Sequence, residues 1–412
     1  MGFRTRVVVA MSGGVDSSVA AALLKEQGHE VIGLMMRLWS EPGAHTAQGD
    51  PAHNRCCSPD AIANARYVAG MFDIPFYVVD AQEVFRRTVV DFFVDGYAGG
   101  VTPNPCMECN RHIRWEFLLN KALSLGATHL ATGHYARVRS ALPENGRDVP
   151  AERLRQGDAP AGDAPAGEAL AGDAPAGDAL AGEALAGDAP PGRLYELLKS
   201  VDDKKDQSYV LSVMGQAQLR HAMFPVGEFT KPQIRELARK FNLPVAERPD
   251  SQDLCFLADN DYRRFLAEHA PQVVRPGPIV DSSGKVLGRH QGLAFYTIGQ
   301  RKGIGLAAAE PLYVLTTDPE RNALVVGPVT ELGQTTMRVG RINWVGGAPP
   351  TQPFECTVKI RYKAAERPCT VTPLEGSRAG VALKEPARDV TPGQGAVFYD
   401  GDVCLGGGTI LK

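Results

Sequence analysis

The first part of the chain alternates short apolar runs with segments whose apolar residues recur at helical spacing. Strands that are buried on both faces are apolar along their whole length, so the runs predict parallel strands joined by helices. The predicted strands are residues 6–11, 30–36, 75–80 and 129–133, and the predicted helices are residues 16–27, 59–72, 83–97 and 113–125. This order predicts a doubly wound α/β parallel sheet, which binds ligands at the carboxyl ends of its strands.

The pattern changes in the second half of the chain. From Thr230 to about Ala270 it is mostly helical, and from about Pro278 onward short β-rich runs are separated by glycine. Such runs are typical of a small β-barrel. We therefore expect an α/β domain at 1–220, a small helical central domain at 221–277 and a C-terminal β-barrel domain at 278–412.

Residues 157–191 interrupt the α/β pattern with seven five-residue units, each with one acidic residue and no basic or aromatic residue. This composition cannot bury enough apolar surface to offset the entropy of ordering, so we predict a disordered low-complexity insertion at 142–192. The net charge is -3, but removal of the seven acidic residues leaves the rest at +4. That balance permits RNA binding without requiring it.

Composition favours a cytoplasmic globular protein. Apolar residues make up 44% of the chain, and no apolar run approaches the roughly 20 residues of a membrane helix. The N-terminus leads directly into the first strand, which leaves no room for a signal peptide. Eight irregularly spaced cysteines indicate reactive thiols or metal ligands rather than a disulfide scaffold.

The motif SGGVDSS at residues 12–18 lies between the first strand and the first helix. Its glycines let the backbone approach phosphate oxygens, and the hydroxyls of Ser12, Ser17 and Ser18 add donors at the positive end of the helix. It lacks the GK[ST] of a Walker A loop. Such a loop suits cleavage between the α and β phosphates, and the motif resembles the PP-loop ATP pyrophosphatases, which include nitrogen-transferring synthetases and tRNA thiolases.

Two cysteine motifs point to sulfur rather than nitrogen transfer. In TPNPCMECNRHIRW (102–115), Cys109 precedes a helix predicted to begin near Arg111, with Arg114 close by. A helix N-terminus and nearby cations favour the reactive thiolate. Cys255 lies in the polar loop PDSQDLCFL (249–257). One thiol could carry a persulfide and the other resolve it as a disulfide; the alternative for each is a buried structural cysteine.

The same reasoning assigns structural roles to the other cysteines outside these motifs, namely Cys56, Cys57, Cys356, Cys369 and Cys404. Further motifs are TGHYAR (132–137), KKDQSYVL (204–211) and GRHQGLAFYTIGQRKGIG (288–305). Together with the phosphate loop and the cysteine motifs, they resemble the bacterial tRNA-specific 2-thiouridylases (the MnmA family) over nearly the whole chain. The resemblance implies ATP-dependent formation of 2-thiouridine at the wobble base of tRNA, with AMP and pyrophosphate as products. Sulfur would come from a cysteine desulfurase or a sulfur-relay protein.

The resemblance also implies roles for individual residues. Cys109 would be the nucleophile and Cys255 the persulfide carrier. The nucleotide would be held by Ala10, Met11, Ser12, Gly13, Gly14, Val15, Asp16, Ser17, Met36 and Gly133. The target base and the tRNA would be contacted or positioned by Asn104, Pro105, Cys106, His134, Lys205, Asp206, Gln207, Arg361, Tyr362 and Gln394. Mg²⁺ should accompany ATP, with Asp16 as its candidate ligand.

Several alternatives remain open. Many relatives carry Asp where Cys106 stands, and Cys106, Cys109 and Cys255 could hold an iron–sulfur cluster with an open fourth position. His134 could be an ordinary polar loop residue, and Arg361 and Tyr362 could lie on a solvated strand instead of contacting phosphate and base. The rival functions are an amide-forming synthetase for a small molecule, an RNA-binding protein without ATP turnover, and a sulfurtransferase for another tRNA base such as cytidine.

Overall fold

The computed structural model describes residues 5–41, 57–141, 194–249, 254–257 and 259–412. The predicted insertion at 142–192 and Cys56 lie outside the described residues. Among the described helices, none has the length and the hydropathy that crossing a lipid bilayer requires.

Strands and helices are numbered separately in chain order within the described ranges. The strands are β1 (Arg6–Ala10), β2 (Glu30–Arg37), β3 (Phe76–Asp80), β4 (His129–Thr132), β5 (Ala136–Ala141), β6 (Leu194–Lys199), β7 (Ala222–Met223), β8 (Gly277–Val280), β9 (Val286–His290), β10 (Tyr313–Asp318), β11 (Ala323–Gly327), β12 (Gln334–Trp344), β13 (Phe354–Lys359), β14 (Arg367–Leu374), β15 (Arg378–Ala387), β16 (Gly395–Asp400) and β17 (Val403–Ile410). The helices are α1 (Val15–Glu26), α2 (Pro59–Met71), α3 (Gln82–Phe85), α4 (Asp91–Ala98), α5 (Pro105–Glu108), α6 (Leu119–Ser124), α7 (Ser208–Leu211), α8 (Gln216–Leu219), α9 (Lys231–Lys240) and α10 (Tyr262–His269). Wider π-helical turns at Arg86–Val90 and Cys109–Leu118 join α3 to α4 and α5 to α6.

The first domain is built on a five-stranded sheet with the order β3-β2-β1-β4-β7, in which all neighbours are parallel. Val7 and Val9 of β1 pack into the same core as α1, whereas Val8 packs into a second core with Trp115 and Leu118. The central strand is therefore buried on both faces, which is why its sequence is continuously apolar. These features confirm the predicted parallel α/β sheet.

The predicted helical central domain is wrong. Its two helices exist, but α9 packs against α1, and Phe265 of α10 meets Phe93 of α4 with ring centroids 6.1 Å apart. Both helices thus complete the first domain. An amphipathic pattern shows that a helix has an apolar face but not what covers it. The element between α10 and the barrel is a four-stranded sheet with the order β10-β11-β8-β9.

A closed C-terminal β-barrel is confirmed, but it begins at β12, because β8 to β11, which were predicted as part of it, form the separate four-stranded sheet. Six antiparallel strands follow the order β12-β15-β14-β13-β16-β17, and β17 pairs back with β12 to close the barrel. The hairpin β5–β6 extends this sheet from outside, because Leu198 of β6 pairs with Val403 of β17. The first domain and the barrel are therefore joined by main-chain hydrogen bonds.

The hairpin allows a direct test of the insertion. Ala141 at the end of β5 pairs with Leu194 at the start of β6, so the two ends are adjacent and a short turn can join them. We expect that replacing residues 142–193 with a short Asn-Gly turn changes the Tm by less than about 3 °C, since loop closure depends only weakly on loop length. Thermal unfolding measures this.

A matched control removes residues 139–196 instead, which deletes half of each hairpin strand. We expect that variant to lose stability, because it shortens the strands of the hairpin that extends the barrel sheet. A large drop in Tm for the first variant would contradict the view that 142–193 contribute little to the fold.

Candidate active site

The phosphate loop joins β1 to α1, and its shape requires glycine at Gly13. This residue has φ +68°, and a Cβ atom there would lie 2.2 Å from the carbonyl oxygen of Ala61. Helix α1 follows with Gly14 as its N-cap, and no side chain caps it. The first amides of α1 and the positive end of the helix are thus directed to the site where an anion would bind.

Serine hydroxyls stabilise the loop through hydrogen bonds within it. The Ser17 hydroxyl accepts from the Ser12 amide at 3.1 Å and donates to the Gly14 carbonyl at 3.3 Å. The Ser18 hydroxyl donates to the same carbonyl at 2.8 Å. Because these bonds form within the protein, the loop is ordered before a ligand arrives, which reduces the entropic cost of binding.

The other residues predicted for the nucleotide lie at the same edge of the sheet. Ala10 ends β1, Met36 lies near the end of β2, and Gly133 follows β4. A Cβ atom on Gly133 would stand 2.7 Å from the Ser17 amide nitrogen. The structure therefore brings the predicted nucleotide residues together at the carboxyl ends of the parallel strands.

Asp16 does not fit the predicted role of a magnesium ligand. The Nζ atom of Lys231 lies 2.7 and 2.9 Å from its two carboxylate oxygens, and the hydroxyl of Tyr135 donates to one of them at 2.7 Å. Lys231 is only 8% exposed. An ammonium group thus already occupies the cation position beside Asp16.

Sequence reasoning missed Lys231. It occupies the first turn of α9, where the positive helix end disfavours a cation. The signal in the sequence was a lysine in the first turn of a helix, and its burial, which only the structure shows, requires an anionic partner from elsewhere in the fold.

The helix that carries Cys109 begins earlier than predicted. Asn104 caps it by accepting from the Met107 amide at 3.3 Å, and Pro105 is its first residue. Cys109 therefore lies inside the helix, at the start of the π-helical turns, and is half-buried. The exposed Cys106 lies in the first turn, where the effect of the helix N-terminus is largest.

A compact ionic cluster adjoins Cys109. Glu108 is buried and pairs with His112 at 3.3 Å and with Arg341 of the barrel at 3.1 Å. Burial acts to raise the pKa of Glu108, but His112, Arg111 and Arg341 together hold that pKa below its usual value. The Glu108 hydrogen bond raises the pKa of His112, whereas burial lowers that of Arg111. The cations that the sequence placed beside Cys109 are thus partly neutralised by Glu108.

Cys255 is half-buried and lies in the short described segment 254–257. Its neighbour Phe256 is buried and meets Phe85 and Phe93 edge-on, with ring centroids 6.2 and 5.3 Å apart. Cys109 and Cys255 pack against the same hydrophobic core cluster, which also contains Val15 of the phosphate loop. Residues 251–253 of the SQDLC motif lie outside the described residues.

Some residues predicted for tRNA surround the exposed Cys106. Tyr362 lies beside Tyr209, with ring centroids 6.2 Å apart, and burial raises the pKa of Tyr362 to about 12, with a smaller contribution from nearby Asp206 and Cys106. Gln394 donates to the carbonyls of Thr102 and Pro103 at 3.0 and 3.3 Å. A barrel residue therefore holds the loop that precedes the Cys109 helix.

Arg361 is largely engaged within the protein. It donates to the Ile298 carbonyl at 3.1 Å and to the Thr391 hydroxyl at 2.7 Å, and it lies 3.5 Å from Asp389. These contacts connect the barrel to the segment that follows β9 of the four-stranded sheet. They hold the Arg361 guanidinium against Thr391, three residues before Gln394.

The remaining residues predicted for tRNA are mostly turned inward. His134 is 6% exposed, it hydrogen-bonds the Thr132 hydroxyl at 2.7 Å, and burial lowers its pKa. Asp206 is buried and accepts from the Ser208 hydroxyl at 2.8 Å. Gln207 accepts from the amide of Tyr135 at 2.9 Å, while Lys205 stays half-exposed. For His134 and Asp206 this geometry supports positioning rather than direct contact.

The predicted iron–sulfur ligands do not form a compact donor group. Among the described residues, the one cluster of carboxylates, histidines or thiols close enough to share an ion is Glu41, Glu268 and His269. Arg264 already binds both oxygens of Glu41, at 2.7 and 2.8 Å. Cys106 is exposed, and Cys109 and Cys255 are half-buried.

Three family models match consecutive parts of the chain. They are described as a tRNA methyl transferase HUP domain, matched at residues 5–160 and 190–259, a tRNA methyl transferase PRC-barrel domain, matched at residues 263–328, and an aminomethyltransferase beta-barrel domain, matched at residues 334–410. Their order follows the parallel sheet, the four-stranded sheet and the closed barrel.

Full-length relatives also match. The chain is 44% identical over 410 residues to the tRNA-specific 2-thiouridylase MnmA of Roseiflexus castenholzii, with 99% of each chain covered. It is 45% identical over 407 residues to the protein of the same name from Geobacter metallireducens, with 99% of this chain and 97% of that one covered. The relative from Symbiobacterium thermophilum is 44% identical over 407 residues, with 99% and 92% covered.

The contact between Lys231 and Asp16 predicts a specific charge effect on ATP binding. Replacing Lys231 with methionine leaves the Asp16 carboxylate uncompensated beside the incoming phosphates. We expect Lys231→Met to weaken ATP binding roughly tenfold, equivalent to about 1.4 kcal/mol. Isothermal titration calorimetry with ATP measures this.

The double variant with Asp16→Asn should recover most of the lost affinity, because it removes the repelling charge. Lys240→Met is the matched control, since Lys240 is an exposed residue at the other end of α9. Unchanged affinity in Lys231→Met, or no recovery in the double variant, would contradict this role.

Proposed function

The chain belongs to the family of tRNA-specific 2-thiouridylases, and we propose that it replaces the C2 oxygen of the tRNA wobble uridine with sulfur in an ATP-driven reaction. The main supporting observations are the phosphate loop at the start of α1 and the thiols of Cys109 and Cys255, which pack against the hydrophobic core cluster that contains Val15 of that loop. A nucleotide-activating loop and two thiols are the groups that such a reaction needs.

Adenylation would come first. The uridine C2 oxygen attacks the α-phosphorus of ATP, the bond from that phosphorus to the bridging oxygen of the β-phosphate breaks, and pyrophosphate leaves. The amides at the start of α1 would bind the phosphates. Lys231 would cancel the charge of Asp16, so that the nearest carboxylate does not repel them. Magnesium, which commonly accompanies ATP, would neutralise further charge, but the Asp16 carboxylate is already paired with Lys231.

Sulfur transfer would follow. A persulfide on Cys255, supplied by a cysteine desulfurase or a sulfur-relay protein, attacks C2 through its terminal sulfur, and AMP leaves with the former C2 oxygen. The Cys109 thiolate then attacks the Cys255 sulfur. The Cys255–sulfur bond breaks, 2-thiouridine is released, and a Cys109–Cys255 disulfide forms. An external thiol reductant must reduce this disulfide before the next turnover.

The barrel would help to hold the tRNA near the thiols. Its Pro392 carbonyl accepts from the Thr102 amide at 2.9 Å, and Gln394 binds the same loop. Cys106 is exposed in the first turn of the helix that follows that loop, and it contributes to the raised pKa of Tyr362. We propose that an unstacked base enters beside Cys106 and Tyr362, since aromatic side chains commonly support bases of single-stranded RNA.

The descriptions of two matching family models name methyl transfer to tRNA. The residues of this chain favour sulfur transfer instead, because methyl transfer requires neither ATP cleavage at the α-phosphate nor a pair of thiols. An amide-forming synthetase or a passive RNA-binding protein would likewise leave the thiols without a role.

The two-thiol mechanism makes a direct prediction. With tRNA, ATP, cysteine and a cysteine desulfurase, we expect the wild type to form 2-thiouridine, whereas Cys109→Ser and Cys255→Ser form none above background. Mass spectrometry of tRNA nucleosides measures the yield and would also reveal a methylated base or thiocytidine. Cys356→Ser, which alters a thiol in the barrel, should behave as the wild type. Wild-type yields from both active-site variants would refute the mechanism.

The iron–sulfur alternative rests on the exposed Cys106, three positions before Cys109 on the same helix. It predicts iron in anaerobically purified protein and loss of thiolation in Cys106→Ser. The persulfide mechanism predicts no stoichiometric iron and substantial activity in that variant. Iron analysis, combined with the nucleoside assay on Cys106→Ser, separates the two.

A further inference from the structure

Helix α9 lies between the phosphate loop and the segment that leads to Cys255. At its start, Lys231 binds Asp16 of α1. One turn later, Arg235 donates to the carbonyls of Ala246 and Arg248 at 2.7 and 3.2 Å. One face of α9 therefore contacts the nucleotide site and also fixes the backbone just ahead of the Cys255 segment.

Arg248 completes this connection. Its Nη1 atom donates to the carbonyl oxygen of Gly13 at 2.7 Å, and the side chain is partly buried. Gly13 precedes the N-cap of α1, so its carbonyl lies outside the hydrogen-bond ladder of that helix. The arginine thus binds the main chain of the phosphate loop at its left-handed residue.

Cys255 follows Arg248 by seven positions, and its own neighbourhood is anchored on the other side. Phe256 is 3% exposed and packs its ring against Phe85 and Phe93. Arg248 and Phe256, which lie on either side of Cys255 in the sequence, are thus each held by another element: Arg248 by the phosphate loop, and Phe256 by Phe85 and Phe93.

We propose that Arg248 is a positioning residue that couples nucleotide binding at the phosphate loop to the placement of Cys255. The proposal rests on the proposed function insofar as it treats Cys255 as the sulfur carrier. ATP adds contacts to the loop amides and so stabilises the Gly13 conformation to which Arg248 is bonded. Stabilising that bond holds the Cys255 segment in its packed position. Coupling of this kind is reciprocal, so the state of Cys255 must affect ATP affinity by the same factor.

The test measures alkylation of Cys255 by iodoacetamide with and without saturating ATP. It uses full-length protein in a Cys109→Ser background, without tRNA or a sulfur donor. Peptide-resolved mass spectrometry follows Cys255, with Cys356 of the barrel as the internal reference. Because a half-buried thiol reacts mainly from locally opened states, we expect ATP to slow Cys255 alkylation about fivefold, within the usual range of coupling between sites.

Arg248→Ala should abolish this effect of ATP, whereas Arg248→Lys, which retains a single cationic donor, should retain part of it. Arg239→Ala is the matched control: Arg239 is also on α9, but it is exposed and pairs with Glu247 at 2.9 Å. Calorimetry sets the saturating ATP concentration for each variant. It also tests reciprocity, since the Cys109→Ser parent protein should bind ATP about fivefold more weakly once Cys255 is alkylated.

Two results overturn the proposal: an alkylation rate in the parent protein that ATP does not change, or a full ATP effect retained in Arg248→Ala. Thermal unfolding identifies a variant that fails to fold, and in that case Arg248→Lys decides, because an undiminished ATP effect in it would also count against the proposal. No step of this test requires thiolated tRNA. A failure of the proposed thiolation therefore leaves the alkylation result interpretable, and a failure of the coupling leaves the thiolation assay interpretable.

Discussion

The nucleotide site depends on an ion pair between the buried Lys231 and the half-buried Asp16. A carboxylate at the positive end of α1 would oppose an incoming polyphosphate, and a lysine at the positive end of α9 would be unfavourable alone. Each charge offsets the unfavourable electrostatic effect of the other. Because removing one partner of a buried pair leaves an uncompensated charge, the pair also fixes α9 against α1. Arg235 and Arg248 take their positions from that arrangement.

The site is assembled from all parts of the chain. The parallel sheet supplies the phosphate loop, and the helix beginning at Pro105 supplies Cys106 and Cys109. The barrel contributes Gln394, which holds the loop ahead of that helix, and Arg341, which pairs with Glu108 beside Cys109. The barrel thus shapes the surroundings of the thiols as well as the proposed RNA surface, so changes in the barrel can affect the chemistry without touching the nucleotide.

Much of the fold could be predicted because local sequence patterns specify it. The apolar run of β1 followed by SGGVDSS required a buried strand, a tight turn and a helix, and the structure has all three. The start of the Cys109 helix was missed although Asn104 and Pro105 are strong N-cap and N1 residues. The middle of the chain was misassigned because α9 and α10 bury their apolar faces against distant partners. The inward orientation of His134 and Asp206 likewise depends on long-range packing that spacing does not encode.

The β5–β6 hairpin has a consequence for how the molecule moves. It leaves the first domain directly after β4 and the TGH turn, and it then forms part of the barrel sheet through the pairing of β6 with β17. Arg137 reinforces the junction through Asp402 at 2.9 Å. A swing of the barrel relative to the nucleotide loop would have to break that ladder, or carry the hairpin with it and pull Ala136 and Leu197 out of the core that they share with Val8 of β1. We therefore expect substrate entry and product departure to use rearrangements of loops and side chains instead of a clamshell opening between these two parts.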